Sequence, residues 1–391
     1  MTQIAVSSAG GSYRASVYPL HHGAHFAGGA EMTFCLDADL ATPDANVLAI
    51  PTQPVRVLTA SSVTPAASFF GFHTMRLPYA PLTEVTCGWV RSHDSSLRWD
   101  QIETSAGVFD WSRLDSWVAV HSAAGRDLCL VLFGTPTFYS ARASEDNAYH
   151  VLGIAAEPSD LTKWDAFCTA VATRYPQIGY YEIWNEPNAS GFWTGTQTLL
   201  AQLTRRASQA IKAVRPSAKI LCPAVTSWSP TAAQSAETYF TNMMNASDGA
   251  AGTMKQWVDI VAVHLYTSGN AVNNVPGIID RVKAAMTTLS ISGKEIWDTE
   301  SAPISPDASL ITTEAEVQYM KRSLVMMIAK GIARQCYYTW DHTTMGIKDN
   351  AVLVSTRNAF VSSLMNDGIQ YATALWDGRV AYYSGGQLYY V

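Results

Sequence analysis

From Phe69 to Trp340, apolar runs of strand length alternate with stretches whose apolar residues recur at helical spacing. The strand-like runs are Phe69 to His73, Thr86 to His93, Asp127 to Phe133, Gly179 to Trp184, Lys219 to Val225, Val258 to Tyr266, Glu295 to Asp298 and Gln335 to Trp340. Between them, Trp111 to Ala123, Thr162 to Arg174, Thr198 to Val214, Thr231 to Asn245, Ile278 to Leu289 and Glu314 to Ala329 read as amphipathic helices. Runs separated by helices are the pattern of a parallel sheet whose strands are covered on the outside. Strand centres at Leu221, Val261, Ile296 and Tyr338 recur at one β/α unit each. Eight such units predict a closed (β/α)8 barrel, the TIM-barrel architecture, with its reactive rim at the C-terminal ends of the strands.

The ends of the chain read differently. Short apolar runs such as Val47 to Ile50 and Val55 to Leu58, broken by glycine pairs and prolines, make residues 1–66 β-rich and irregular. After the barrel come a last helix over Thr356 to Met365 and three strand-like runs with turns at Asp377-Gly378 and Gly385-Gly386, which are strong hairpin signals. A three-stranded ribbon is marginal alone. The expectation is therefore a β-rich N-terminal segment at 1–66, a catalytic barrel at 67–350, and a last helix and ribbon at 351–391. The two terminal segments are expected to pack together as a small accessory β domain.

Composition supports a large packed fold. Hydrophobic residues make up 48% and charged residues 15% of 391 positions, which excludes a disordered chain. A net charge of −6 with no basic cluster argues against nucleic acid and against an anionic membrane surface. No apolar run reaches membrane-spanning length, and Met1 to Ser8 lacks the basic and apolar regions of a signal peptide. This leaves a cytoplasmic location, or export after loss of a signal or by an unconventional route. The six cysteines form no Cys-x-x-Cys pair and are expected to be free thiols. His21, His22 and His25 lack the helical context and acidic partner of a zinc motif, so no metal is expected. No Gly-x-Gly-x-x-Gly follows an early strand, which removes a dinucleotide oxidoreductase, and no cofactor is expected.

Polar residues at the strand ends of a barrel converge on one cleft. Here they supply Arg91 and His93, Asn185 and Glu186, His264 and Tyr266, Asp298 and Glu300, and Trp340. Glu186 and Glu300 lie three β/α units apart at equivalent depth, and two carboxylates across a barrel mouth point to glycosidic bond cleavage. That chemistry needs one protonated acid and one anion. Glu186, beside Trp184 and facing another carboxylate, is placed for a raised pKa, and Arg91 and Tyr266 are placed to keep Glu300 ionised. Glu182 shares the strand parity of Glu186 one step deeper and is read as a buried partner of Arg91. Trp193, Trp228, Phe138 and Tyr139 follow strand ends, where aromatic faces suit sugar rings, whereas Trp111 and Trp117 are read as core.

The residues Trp184-Asn185-Glu186-Pro187, His264-x-Tyr266, Trp297-x-Thr299-Glu300 and Trp340, in this order, resemble clan A of the glycoside hydrolases. The strand Val90-Arg91-x-His93, the run Trp99-Asp-Gln-Ile-Glu103 with Gly107-Val-Phe-Asp-Trp111, and Tyr181 to Pro187 are most similar to family 39 and related bacterial exopolysaccharide hydrolases. The resemblance implies a (β/α)8 retaining enzyme acting on β-glycosides of a polysaccharide or oligosaccharide, with Glu186 as acid/base and Glu300 as nucleophile. It also implies that Arg91 holds the nucleophile, Asn185 bonds the sugar 2-hydroxyl, Tyr266 touches the nucleophile, Trp340 floors a sugar subsite and His264 lines the cleft. Asp298 departs from the apolar residue commoner at its place. The competing reading is a carbohydrate-binding or phage-particle protein on the same barrel, which would be expected to lose one carboxylate; both are present.

Overall fold

The computed structural model describes residues 6–9, 12–15, 56–59, 63–189, 191–228, 236–268, 274–304, 313–342, 345–374 and 380–391. Eight parallel strands close a barrel in chain order. They are β1 (Phe70–His73), β2 (Trp89–Arg91), β3 (Asp127–Leu132), β4 (Ile178–Ile183), β5 (Lys219–Leu221), β6 (Ile260–His264), β7 (Glu295–Ser301) and β8 (Arg334–Tyr337). The fold is the expected (β/α)8 barrel. Helices α1 (Ser112–Ala123), α2 (Leu161–Arg174), α3 (Gln197–Val214), α4 (Ala236–Asn245), α5 (Val275–Thr288), α6 (Thr313–Ala329) and α7 (Ala351–Asp367) alternate with the strands from β2 onward.

Several helices start where the sequence places an acceptor. Asp160 accepts from Thr162 N, Thr196 from Leu199 N and Asn350 from Leu353 N, each satisfying an amide that the helix itself leaves unpaired. The segment between β1 and β2 carries no helix; instead Asn358 and Arg357 of α7 bond the backbone of Glu84 and Thr86. No helix among the described residues is long and apolar enough to cross a membrane.

Side chains fill the barrel in layers. In the lower layer Trp297 of β7 meets Trp89 of β2 at 5.2 Å and Tyr180 of β4 at 4.8 Å. The Arg334 guanidinium of β8 covers the Trp297 ring at 4.4 Å and is held by Asp127 of β3 at 2.7 Å. A planar cation stacked on indole gains attraction from the ring face, and the plug closes the barrel below the polar rim.

The four-stranded antiparallel sheet runs Gln387–Tyr390, Val380–Ser384, Tyr371–Ala374, Arg56–Thr59. Tyr371–Ala374 pairs on one side with the ribbon and on the other with Arg56–Thr59. The Gly385-Gly386 turn has φ of 54° and 81°, values that glycine adopts without steric cost. A separate hairpin pairs Val6–Ala9 with Ser12–Ala15. The His21, His22 and His25 cluster, the Val47 to Ile50 run, the Asp377-Gly378 turn and Cys35 lie outside the described residues. Cys87, Cys129, Cys168, Cys222 and Cys336 are free thiols.

Gly88 opens β2 under tight steric constraint. A Cβ there would lie 2.4 Å from the Ala67 carbonyl oxygen and 2.6 Å from its carbon, backbone atoms that cannot rotate away. Gly88→Ala is expected to lower stability by about 1–3 kcal/mol, the usual cost of overpacking, read as a lower midpoint in urea unfolding.

Candidate active site

Backbone irregularity at the end of β4 brings two polar residues to the rim. Trp184 and Glu186 adopt φ of 62° and 41°, a region that side chains with a Cβ seldom occupy and that costs of order 1–3 kcal/mol. Neighbouring bonds hold them there. Trp184 N donates to Leu132 O at 2.9 Å, and its indole N–H donates to Phe192 O at 2.7 Å. Asn188 exchanges two hydrogen bonds with the Thr226 backbone, and Tyr239 OH donates to Pro187 O at 2.9 Å. The Asn-Glu-Pro-Asn turn is thus anchored to the end of β5 and to α4.

Arg91 organises the layer above the aromatic plug. Its Nε and Nη2 donate to the two Glu182 oxygens at 2.9 and 2.5 Å, its Nη1 donates to Glu300 Oε2 at 2.7 Å, and Nη2 also reaches Asn185 Oδ1 at 2.9 Å. Arg91 and Glu182 are fully buried. The fork geometry of guanidinium reaches three side chains at once, from β4, the rim beyond it and β7, which an ammonium group would not.

The second oxygen of Glu300, Oε1, accepts from Tyr266 OH at 2.7 Å, so each carboxylate oxygen has its own donor. Glu186 has a different environment. Burial raises its pKa, and its Oε1 meets His264 Nδ1 at 2.7 Å. Burial holds His264 down to about 4 and His73 well below the usual imidazole range, so both rings are neutral near pH 7. With the ring neutral, either Glu186 is protonated and donates to an unprotonated His264 Nδ1, or Nδ1 carries the ring proton and donates to an ionised Glu186. One oxygen of Glu186, one of Glu300 and a ring nitrogen of His264 all lie within 4.8 Å of one another. Among the described residues this is the one grouping of three side chains that could hold a metal ion.

The expected site residues divide into two sets. Glu186, Glu300, Arg91, Asn185, His264 and Tyr266 converge. His93 is buried beside them, its ring tilted on Phe133 at 5.0 Å and its Nε2 3.4 Å from Asp94 Oδ1. The tryptophans differ from expectation. Trp340 is only 2% exposed and packs edge-on against Phe72 at 5.8 Å. Trp228 is 2% exposed, its N–H spent on Val225 O and its ring against Phe240. Trp193 is buried edge-to-face on Trp184 at 4.7 Å. None of the three presents an open ring face, because burying a large apolar area with its N–H satisfied is favoured over exposing it. Tyr139 donates to Glu103 Oε1 at 2.9 Å and braces the loop after β3.

Two tyrosines at the rim escaped the sequence reading. Tyr338 lies edge-on to His73 at 5.0 Å and donates to Asp94 Oδ2 at 2.9 Å. Tyr149 packs on Phe133 at 5.5 Å, and Asn185, Asp94 and Glu186 lie close enough to act on its hydroxyl. Tyr149 belongs to the long loop after β3, which is tied down by Arg142. That arginine donates twice to Glu157 at 2.8 Å and once to Thr194 at 3.0 Å, and Thr194 donates to Glu145 at 2.6 Å. The loop is therefore a fixed wall of the cleft.

A closed parallel barrel with two rim glutamates, one held by arginine and tyrosine and the other by a neutral histidine, is the architecture of the clan A glycoside hydrolases. The family model that matches residues 57–343 is cellulase (glycosyl hydrolase family 5), and the chain belongs to this family. No curated protein sequence matches it. Among solved structures, a glucosidase from Croceicoccus marinus is 14% identical with a TM-score of 0.60, the match covering 84% of this chain and 77% of that one. A monomeric β-xylosidase from Caulobacter crescentus is 18% identical with a TM-score of 0.60, covering 82% of this chain and 74% of that one. A glycoside hydrolase family 39 enzyme from Xanthomonas axonopodis pv. citri is 17% identical with a TM-score of 0.58, covering 89% and 76%. At such identities these structures share the fold, including that of family 39, to which the sequence is similar.

Removing the buried partner of Arg91 tests the frame of the site. Glu182→Ala is expected to cost about 3–5 kcal/mol, the penalty for breaking a buried ion pair from one side, measured by denaturant unfolding. A loss below about 1 kcal/mol would show that Glu300 and Asn185 suffice to balance the guanidinium.

Proposed function

We propose that the protein is a retaining glycosidase that cleaves β-glycosidic bonds in a polysaccharide or oligosaccharide by double displacement, with Glu300 as nucleophile and Glu186 as acid/base. The observation that carries this reading is the carboxylate pair, whose oxygens approach within 4.8 Å. Retaining enzymes hold their carboxyl groups about 5–5.5 Å apart, whereas inverting enzymes leave about 6.5–9.5 Å for a water. The β configuration is supported by the cellulase family and by the β-xylosidase among similar structures.

Charge balance supports the division of roles. Arg91 faces both Glu182 and Glu300, so one cation already serves two carboxylates. A third anion within 4.8 Å of Glu300 would be repelled by at least about 3 kcal/mol at an effective dielectric of about 20. Glu186 is the carboxyl that burial raises, and it is the one suited to hold a proton. In the first step Glu300 attacks the anomeric carbon while Glu186 gives its proton to the departing oxygen, and the glycosidic C–O bond breaks as the ester bond to Glu300 forms. In the second step Glu186, now a carboxylate, takes a proton from water as the water oxygen attacks the same carbon and releases Glu300.

His264 supports both states. With Glu186 protonated, the O–H donates to His264 Nδ1; with Glu186 ionised, the tautomer protonated at Nδ1 donates back. Asn185 uses its amide oxygen on Arg91, which leaves its NH2 group as the donor for a sugar hydroxyl.

Screening a panel of 2,4-dinitrophenyl β-glycosides and bacterial polysaccharides with the wild type and Glu300→Gln tests activity and site together; undiminished turnover in the variant overturns the assignment. Glu186→Ala is expected to lower turnover of substrates with poor leaving groups by about 10²–10⁴, while dinitrophenyl glycosides retain a fast first step. Proton NMR of the first-formed product should show the β anomer. The pH profile has a worked sign. The acid must be protonated, so activity on unactivated substrates falls as pH rises through the raised pKa of Glu186, and that alkaline limb disappears in Glu186→Ala assayed on the activated glycoside.

A further inference from the structure

Glu300 faces the cleft against the ordinary alternation of its strand. Trp297, three residues earlier, points to the barrel axis, since it meets Trp89, Tyr180 and Arg334 from three other strands. Strict alternation would send Thr299 and Ser301 inward after it and turn Asp298 and Glu300 towards the helices. The register shows how this is avoided. Against β6, Val263 pairs with Asp298 but His264 pairs with Glu300; against β8, Gln335 pairs with Asp298 but Tyr337 pairs with Ser301. Strand β7 therefore carries one residue more than either neighbour, a bulge of the kind that re-aims a side chain.

Asp298 stands at the root of that bulge and is fully buried. Its Oδ1 accepts from Leu265 N of the β6 end at 3.1 Å, and its Oδ2 accepts from Ser301 Oγ, which in turn receives Gln335 Nε2 of β8 at 3.3 Å. The Glu300 backbone N–H also favours the charged form of this carboxyl. Leu265 sits between His264, which meets Glu186, and Tyr266, which meets Glu300. One side chain thus ties β6, the bulge and β8 together directly behind both rim carboxylates.

We propose that Asp298 is a positioning residue of this site, holding the β7 bulge that turns Glu300 into the cleft and fixing the Leu265 backbone that sets His264 and Tyr266 against the two glutamates. An apolar side chain would fill the space but leave the Leu265 N–H and the Ser301 hydroxyl buried without their acceptor, which favours relaxation of the bulge. Asparagine keeps an acceptor for Leu265 and a polar partner for Ser301. Burial pushes the Asp298 carboxyl up to about 7, so its neutral form, which asparagine resembles, is already populated near neutral pH.

The structural arm of the test needs no substrate. In a crystal structure of Asp298→Leu, Glu300 is expected to leave Arg91 or Tyr266; retention of both contacts overturns the proposal. The kinetic arm rests on the glycosidase reading above and uses 2,4-dinitrophenyl β-glycosides. Asp298→Leu should lose about 10- to 100-fold in kcat, the scale of an ångström misplacement, with KM within about twofold of the wild type, and Asp298→Asn should restore most of the loss. Wild-type kcat in Asp298→Leu, or a change in KM alone, overturns the proposal. If Asp298→Leu does not fold, Ser301→Ala removes one leg of the same clamp. It is expected to shift Glu300 and lower kcat by about threefold or more, and an unmoved Glu300 with unchanged kcat counts against the role. A wild type inactive on every glycoside alongside a displaced Glu300 in the variant would overturn the glycosidase reading and leave the positioning role standing.

Discussion

The buried guanidinium of Arg91 is the interaction on which the upper half of the barrel depends. Taking a charge out of water costs several kcal/mol unless partners replace the lost hydration, and here the replacements come from β4, from the rim beyond it and from β7. The same requirement constrains the rest of the layer. With two carboxylates gathered on one cation, the imidazoles of His73 and His264 are held neutral by burial, and the remaining glutamate is the natural place for a proton. Structure and the proposed division of labour follow from one balance of charge.

Much of this was legible in the sequence. The eight barrel strands and the seven helices that alternate with them were visible as periodicity, because a parallel strand buried on both sides is apolar throughout and a covering helix is apolar on one face. The ends of strands were harder to read. The stretch Thr86 to His93 reads as a long strand, yet the regular strand is only Trp89–Arg91, flanked by backbone bonds of Gly88 and Ser92 to the neighbouring strands. The expected strand Glu295 to Asp298 runs on to Ser301 because polar Thr299, Glu300 and Ser301 carry no hydrophobic signal while their backbone stays paired. The pairing of Glu182 with Arg91 was readable from strand parity, since Glu182 and Tyr180 follow one face of β4.

Parity also marks the limit of such reading. No composition rule announces the bulge that resets β7 or the left-handed residues that end β4, because both are settled by bonds to neighbouring strands. Aromatic residues were ambiguous for a related reason. An indole serves a core as well as a sugar site, so Trp193, Trp228 and Trp340 looked like platforms and are packed inside. Tyr149 and Tyr338 reach the rim through loop geometry that sequence spacing does not encode.

The closure of the barrel has a consequence for how the molecule is made. Strand β1 pairs with β8, α7 bonds the segment before β2 across 272 residues of chain, and Arg56–Thr59 pairs with Tyr371–Ala374. Contacts between such distant parts must wait until both exist, and loop closure of this length slows assembly. During synthesis the growing chain therefore carries the unpaired edge of β1 until Arg334–Tyr337 has emerged, and an interval of exposure to chaperones or to a second chain is built into the topology.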